Sequence, residues 1–383
     1  MSYCTNVHPG TTVEEIITGL RAFTIPARQS LHRKIAAGLW IPATAVKEIE
    51  KDAAHLDRLR AVLADGDVVC YTLNTFPYGN FHSERVKEQV YLPDWATLER
   101  LNYTRSSARI LAELMPEGTE GSLSTVPLGF KAFEHAASFE QDCIAQLLNL
   151  ARMLDELHDD TGKVLRLAIE PEPLCVLETT SETVAFFERL FEKAADKKIL
   201  AIAQRHLGVC YDVCHQSVEF EDVRNSISQL SVAGIRINKV HITCALQLTD
   251  PGRRAEARQQ LAAFAEPRYL HQTFARHGSL VTSILDLTPE LCLSPAEGFR
   301  DAEQWRVHFH VPVHNDSMGE LETTREDLKA ALQEVARLEY APHLEVETYT
   351  WSVLPGGQSS DLVKGLIQEL SATHSLLEEI TAS

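Results

Sequence analysis

Short apolar runs alternate along this chain with longer stretches in which apolar positions recur at helical spacing. Eight segments read as strands: YCTNV near Tyr3, AAGLWI from Ala36, VVCYTLN from Val68, GSLSTV from Gly121, VLRLAIE from Val164, LGVCYDV from Leu207, NKVHIT from Asn238 and HLEVETY from His343. Between them the spacing predicts helices around residues 43–64, 94–114, 133–158, 180–197, 222–232 and 324–338. Strand–helix alternation indicates parallel βα units. Near-continuous apolar strands are what a sheet covered on both faces requires. Eight such units predict an α/β fold, a (β/α)8 TIM barrel. An open doubly wound sheet is the alternative, and the lack of a GxGxxG after the first strand disfavours its dinucleotide-binding form.

The regularity breaks after His241, where about a hundred residues separate the seventh and eighth strand segments, too many for a plain barrel loop. YLHQTF and LVTSILDL there flank a hairpin-like turn at ARHGS, and WRVHFHVPVH follows as a further strand. Residues 245–315 are therefore expected to form an insertion at the barrel mouth, within a single domain spanning 1–383. A second long connection, FPYGNFHSERVKEQVYLPDW from Phe76 to Trp95, mixes aromatic, basic and His residues and reads as a lid or binding loop.

Composition narrows the function classes. The 383 residues carry 36 Lys and Arg against 54 Asp and Glu, a net charge of −18, which would repel a phosphate backbone, so no nucleic-acid partner is expected. With 44% hydrophobic and 23% charged residues the chain is ordinary globular protein. It has no apolar run of about 18 residues, and its start, MSYCTNVHPG, lacks a charged and an apolar leader region, so a cytoplasmic location without a transmembrane segment is expected. The eight cysteines form no CxxC pair and are read as reduced core residues.

Barrel enzymes carry their chemistry at the C-terminal ends of the strands. VLRLAIE ends at Glu170 and runs through Pro171 to Glu172; LGVCYD ends at Asp212, with His215 three residues on; NKVHIT carries His241; HLEVETY carries Glu345 and Glu347. Side chains alternate faces with period two, so Glu345 and Glu347 share a face and Glu347 lies nearer the mouth. Carboxylates and an imidazole from four strand ends make the donor set of a divalent ion, Mn2+, Co2+, Zn2+ or Mg2+. Buried structural ion pairs are the alternative reading. His308 and His310 can ligate a second metal or bind an anionic substrate. His8, Asn74, His82, Arg85, Glu172 and His271 are the candidate substrate contacts. No Walker loop, GxSxG elbow or HExxH motif is present.

The set Glu170, Asp212-x-x-His215, His241 and Glu347 resembles the xylose isomerase-like barrel superfamily, which includes sugar isomerases, ketose epimerases, inosose dehydratases and endonuclease IV. The longer motifs TNVHPG, NTFPYGNFHSERVKEQVYLPDW, STVPLGFK, LAIEPEP, GVCYDVCHQSVEFED, NKVHIT, YLHQTF and VHFHVPV look like the EboE-type metabolite traffic proteins. The superfamily resemblance implies metal-ligand positions at Glu170, Asp212, His241 and Glu347. It places His215 where the epimerases bind substrate and endonuclease IV binds metal, and His308 and His310 roughly where endonuclease IV has an Asp-x-His pair. No His stands at the ends of the second or fourth strands, a departure from the nuclease pattern. The EboE-type resemblance implies a secondary-metabolite gene cluster, with other Ebo-cluster proteins, including a prenyltransferase-like membrane protein, as partners.

Three functions follow as expectations. The first is a metal-dependent isomerase or epimerase acting on a small polyol, sugar-like or cyclitol-like metabolite, with Glu170 and Glu347 exchanging protons and His215 orienting the substrate. The second is a dinuclear metal-dependent hydrolase or phosphodiesterase. The third is a non-catalytic metabolite-binding protein, for which the sequence feature would be a broken ligand set.

Overall fold

The computed structural model describes residues 1–194, 196–355 and 362–382. Strands β1 (Ser2–Cys4), β2 (Ala36–Trp40), β3 (Val69–Asn74), β4 (Gly121–Thr125), β5 (Leu165–Ile169), β6 (Leu207–Asp212) and β7 (Ile237–Ile242) follow one another in the chain, each pairing with the next. After β7 come β8 (Cys244–Thr249), β9 (Thr273–His277), β10 (Leu280–Ile284), β11 (Gln304–Val311), β12 (Ser317–Met318) and β13 (Leu321–Thr323). Then β14 (His343–Val346) inserts between β7 and β1 and closes a parallel (β/α)8 barrel among the described residues, as the apolar pattern predicts. The fully buried runs of β2, β4, β6 and β7 show why these strands read as unbroken apolar stretches: one face packs inside the barrel and the other under helices.

Register sets the level of the polar residues. Asp212 on β6 pairs with His241 on β7, and His241 with Glu345 on β14. Glu347, two residues beyond Glu345, keeps the same face one step nearer the mouth.

The helices differ from the sequence pattern in places with physical causes. The stretch predicted at 43–64 is two helices, Ala43–Lys51 and Ala54–Asp65, because Asp52 leaves the helix and its Oδ1 accepts from Ala54 N at 3.0 Å. The helix predicted from 94 starts at Leu98, where the Thr97 hydroxyl accepts from Arg100 N and caps the first turn. Helical segments not predicted are Val13–Leu31, which passes through a π-helical turn at Leu20–Thr24, then Lys197–His206, Val213–Val218, Leu362–Ala382 and three short helices around the second sheet, Ala255–Ala262, Pro289–Leu293 and Glu297–Arg300. None of the described helices is long and apolar enough to cross a membrane.

Between β7 and β14 lies a second, antiparallel sheet in the order β10-β9-β11-β8-β13-β12. It starts at Cys244, two residues past the end of β7, so the chain leaves the barrel directly into it. Its hairpin turns at Gly278, whose φ of +58° favours glycine. On β11, His308 and His310 share one face, while Phe309 points the other way and packs on Phe264 and His271. The main core runs continuously through barrel and sheet. Three smaller apolar clusters are separate from it: Trp40, Phe81, Val86, Tyr269 and Tyr349; Tyr91, Phe130, Cys175 and Leu270; and Cys214, Val218, Ala245 and Phe274. All eight cysteines are buried and unpaired.

Candidate metal centre

Four of the residues singled out at the strand ends meet. Ligand atoms of Glu170, Asp212, His241 and Glu347 all lie within 4.8 Å of one another. His241 Nδ1 is 2.8 Å from Glu170 Oε1, 3.0 Å from Glu347 Oε2 and 3.6 Å from Asp212 Oδ2. Neighbouring donors fix which oxygens face inward. Asp212 Oδ1 accepts from His215 N at 2.9 Å and from the Thr243 hydroxyl at 2.8 Å, and Glu347 Oε1 accepts from Asn6 Nδ2 at 2.9 Å. That leaves Glu347 Oε2 turned to His241, and Asp212 Oδ2 buried without a hydrogen-bond partner.

Three buried carboxylates around one imidazole are costly unless a positive charge joins them. Burial raises the Glu170 carboxyl above its ordinary value, a rise that His241 only partly offsets. Asp212 is held low despite burial by His215, His241 and His310, and Glu347 likewise by His241 and His310. Burial would lower His241, but Glu170 and Glu347 hold its imidazole well above the usual histidine range. An orphaned inward oxygen, hard oxygen donors and one nitrogen fit a divalent cation.

Beneath this cluster sits a second buried layer. Glu345 and Lys239, both fully buried, pair at 2.7 Å, and Glu345 also accepts from Ser2 Oγ at 2.7 Å and Asn74 Nδ2 at 2.8 Å. Glu345 Oε1 lies 3.5 Å from His241 Nε2. Of the two carboxylates on the last strand, Glu345 is thus engaged in the barrel interior and Glu347 faces the mouth.

Beside the four ligands, three histidines converge. His215 Nδ1 donates to Pro171 O at 3.0 Å, His310 Nδ1 to Glu347 O at 2.7 Å and His308 Nδ1 to Gln272 Oε1 at 2.7 Å. A neutral ring that donates from Nδ1 presents a lone pair at Nε2. His308 Nε2 lies 3.1 Å from His215 Nε2 and 3.3 Å from His310 Nε2. Burial lowers His215 to about 4 and takes His308 well below the ordinary range, so neither ring supplies a proton between these lone pairs near neutrality. Asp212 reaches His215 and His310, and Glu172 reaches His215 and His308, at ligand-cluster distances.

The other candidates divide. Glu172 lines the cavity and accepts from Tyr91 Oη at 2.5 Å, leaving Oε2 buried and unpartnered. Asn74 also lines it, but its side chain is committed to Glu345, Lys239 and Ser124. The structure does not bring the remaining four to the cluster. His8 packs against Tyr3 and Phe23 in a separate recess, and His82 Nε2 bonds Asn6 O at 2.7 Å beside Trp40. Arg85 lines a surface groove of the long loop. His271 uses one ring nitrogen on His308 O and the other on Glu266.

Asn6, Thr243, Gln272 and Lys239 escaped the sequence reading. Asn6 lies two residues before His8 and Gln272 directly follows His271, so each neighbours a residue that drew attention for its imidazole. A Lys inside the apolar run of β7 was, with Glu345, the visible sign of the buried layer.

The centre opens into a cavity bounded by the long loop after β3, by Tyr269 and Leu270, and by Tyr349 after β14. No protein-family model and no curated protein matches the chain. Among solved structures, it is similar to an L-ribulose 3-epimerase, at 10% identity and a TM-score of 0.52, over 100% of this chain and 95% of that one. It is also similar to a xylose isomerase-like TIM barrel protein from Mycobacterium smegmatis in complex with magnesium, at 9% identity and a TM-score of 0.53, over 99% and 97% of the two chains. At such identities the likeness shows the fold, a xylose isomerase-like TIM barrel.

Proposed function

We propose that this protein is a metal-dependent enzyme of the isomerase or epimerase kind, acting on a small polyol-, sugar- or cyclitol-like metabolite. The observation that carries the reading is the convergence of Glu170, Asp212, His241 and Glu347 at the mouth of the barrel with an inward carboxylate oxygen left unpartnered. These four residues would hold a divalent ion of the Mn, Co, Zn or Mg type, which when bound supplies Lewis acidity toward substrate oxygens. Glu170 and Glu347 are the carboxylates placed to exchange a proton with a substrate carbon, and His215 orients the substrate. The long motifs support an EboE-type protein working in the cytoplasm beside other Ebo-cluster proteins on a secondary metabolite. The whole chain is then one domain, with the sheet that follows β7 covering the mouth.

The test is proton exchange. Mn2+-loaded protein incubated in D2O with a panel of ketoses and inososes is expected to place deuterium at the carbon next to the carbonyl of its substrate, and Glu170→Gln to abolish this. A lack of exchange across the panel, with release of p-nitrophenol from bis(p-nitrophenyl) phosphate, would instead favour the second reading, a dinuclear hydrolase. The convergence of three imidazole Nε2 lone pairs beside the first cluster favours that reading. It predicts a second ion per chain that His308→Ala, His310→Ala removes. Protein that binds metal and metabolite and catalyses neither reaction would be a binding protein.

A further inference from the structure

The metal-ligand floor accounts for only part of the cavity. Its walls are Phe76, Phe81, Val86, Val90, Tyr269 and Tyr349. Phe81, Tyr269 and Tyr349 come from three separate segments and touch pairwise, with ring centroids 4.8, 5.2 and 4.9 Å apart. They belong to a cluster detached from the barrel core. A satellite cluster of this kind can exist merely to pack long loops down. Here it also forms the surface of the cavity that faces the candidate ligands.

Many polar groups of the lining are already engaged, while Tyr269 Oη, Glu172 Oε2 and Asn6 Oδ1 are buried without partners. Lys87 Nζ is bound by Glu266 O, Tyr269 O and Asp286 Oδ2 at 2.9, 2.6 and 2.6 Å. The Asn6 amide holds Glu347, Asn74 holds Glu345, and the Tyr91 hydroxyl donates to Glu172. Hydroxyls of a bare polyol set against Phe76, Phe81, Val86 and Val90 would find no partner there, which is unfavourable for each group desolvated. A flat apolar body would bury well there, and aromatic walls favour planar groups.

We propose that the substrate of this site is amphipathic, with adjacent oxygens that reach the Glu170, Asp212, His241 and Glu347 floor and a planar apolar or aromatic body against the Phe81, Tyr269 and Tyr349 wall. The proposal rests on the metal-dependent reading and narrows its substrate class. The aromatic trio selects the body, and the floor takes the oxygens whatever they are attached to.

Two hydroxamates with the same chelating head separate these roles. Acetohydroxamate and benzohydroxamate are titrated calorimetrically into Mn2+-loaded protein, with their affinities for free Mn2+ as the reference. The expected result is benzohydroxamate binding at least tenfold tighter relative to that reference, with the preference falling below threefold in Phe81→Ala and in Tyr349→Ala. Equal binding of both by the metal-loaded protein would overturn the substrate inference and leave the metal reading standing. Metal retained with neither hydroxamate bound would also overturn it. Failure to retain Mn2+ at all would sink the metal reading, and the inference with it.

Discussion

Adding one methyl group at Gly38 tests the buried layer under the metal centre. A Cβ built there would lie 1.5 Å from Glu345 Oε2 and 2.4 Å from its Cδ, so the carboxylate has to move. Gly38 does not have a left-handed backbone, and at an open site with such geometry Gly→Ala would stabilise by about 0.4–1 kcal/mol by restricting the unfolded chain. Here the displaced carboxylate leaves Lys239, Ser2 and Asn74, and the Lys239 ammonium, fully buried, keeps only the neutral oxygens of Asn74 and Ser124 and loses its charged partner. Breaking a buried pair from one side costs about 3–5 kcal/mol, several times the backbone gain, so the net change for Gly38→Ala is destabilising. Urea unfolding monitored by tryptophan fluorescence reads this directly. Because both substitutions break the same pair, Gly38→Ala in a Lys239→Met background should cost at least about 1.5 kcal/mol less than in the native chain. A Gly38→Ala protein as stable as the parent, or costs that simply add in the double variant, would refute the reasoning.

Glu369 on the C-terminal helix accepts from Thr348 Oγ1, Val313 N and Trp351 Nε1 at 2.6, 3.2 and 3.0 Å, yet burial raises its carboxyl to about 7. A raised folded-state value means the native protein holds the proton more tightly than the unfolded chain, so this group's contribution declines as pH rises from about 4.5 to about 7, by up to about 3 kcal/mol. Glu369→Gln should therefore improve relative to the parent as pH rises from 5 to 8, and parallel stability curves would contradict this. Lys87, which ties the long loop to Glu266 and Tyr269 ahead of β9 and to Asp286 after β10, should on change to Met lose about 2–4 kcal/mol of local stability. Limited proteolysis should then cut faster within residues 76–95, and an unchanged cleavage rate would show that the loop is held by its apolar contacts.

The barrel was legible because its strands are short apolar runs ending in polar residues, and each run from YCTNV to HLEVETY overlaps a barrel strand. What escaped the pattern has local causes. Gly19 and Pro26 look like helix breakers in Val13–Leu31, but the chain crosses a π-helical turn and Pro26 sits directly after it, at the second position of the next α-helical segment. Gly365 similarly obscures the last helix, and it is there because a Cβ would strike the Trp351 ring at 2.6 Å. At the centre, Glu170, Asp212, His241 and Glu347 could be nominated from strand ends alone, since position along a parallel strand fixes depth. Their orienting partners could not. Asn6, Thr243 and Gln272 act through side-chain direction, and the carbonyls of Pro171 and Glu347 leave no trace in residue type.

The central claim is that four strand-end residues form one cation site, and calorimetric titration of Mn2+ into chelator-stripped protein tests it, with Asp212→Asn measured alongside. Asp212→Asn keeps an oxygen for the His215 N–H and the Thr243 hydroxyl while removing the charge of the inward Oδ2. The account predicts stoichiometric binding by the parent and at least about a hundredfold weaker binding by the variant, since loss of a ligand's charge should exceed the roughly 10- to 100-fold cost of disturbing only the contacts that support a ligand. Equal Mn2+ affinity in the two proteins, or none in the parent for Mn2+, Co2+, Zn2+ or Mg2+, would contradict it.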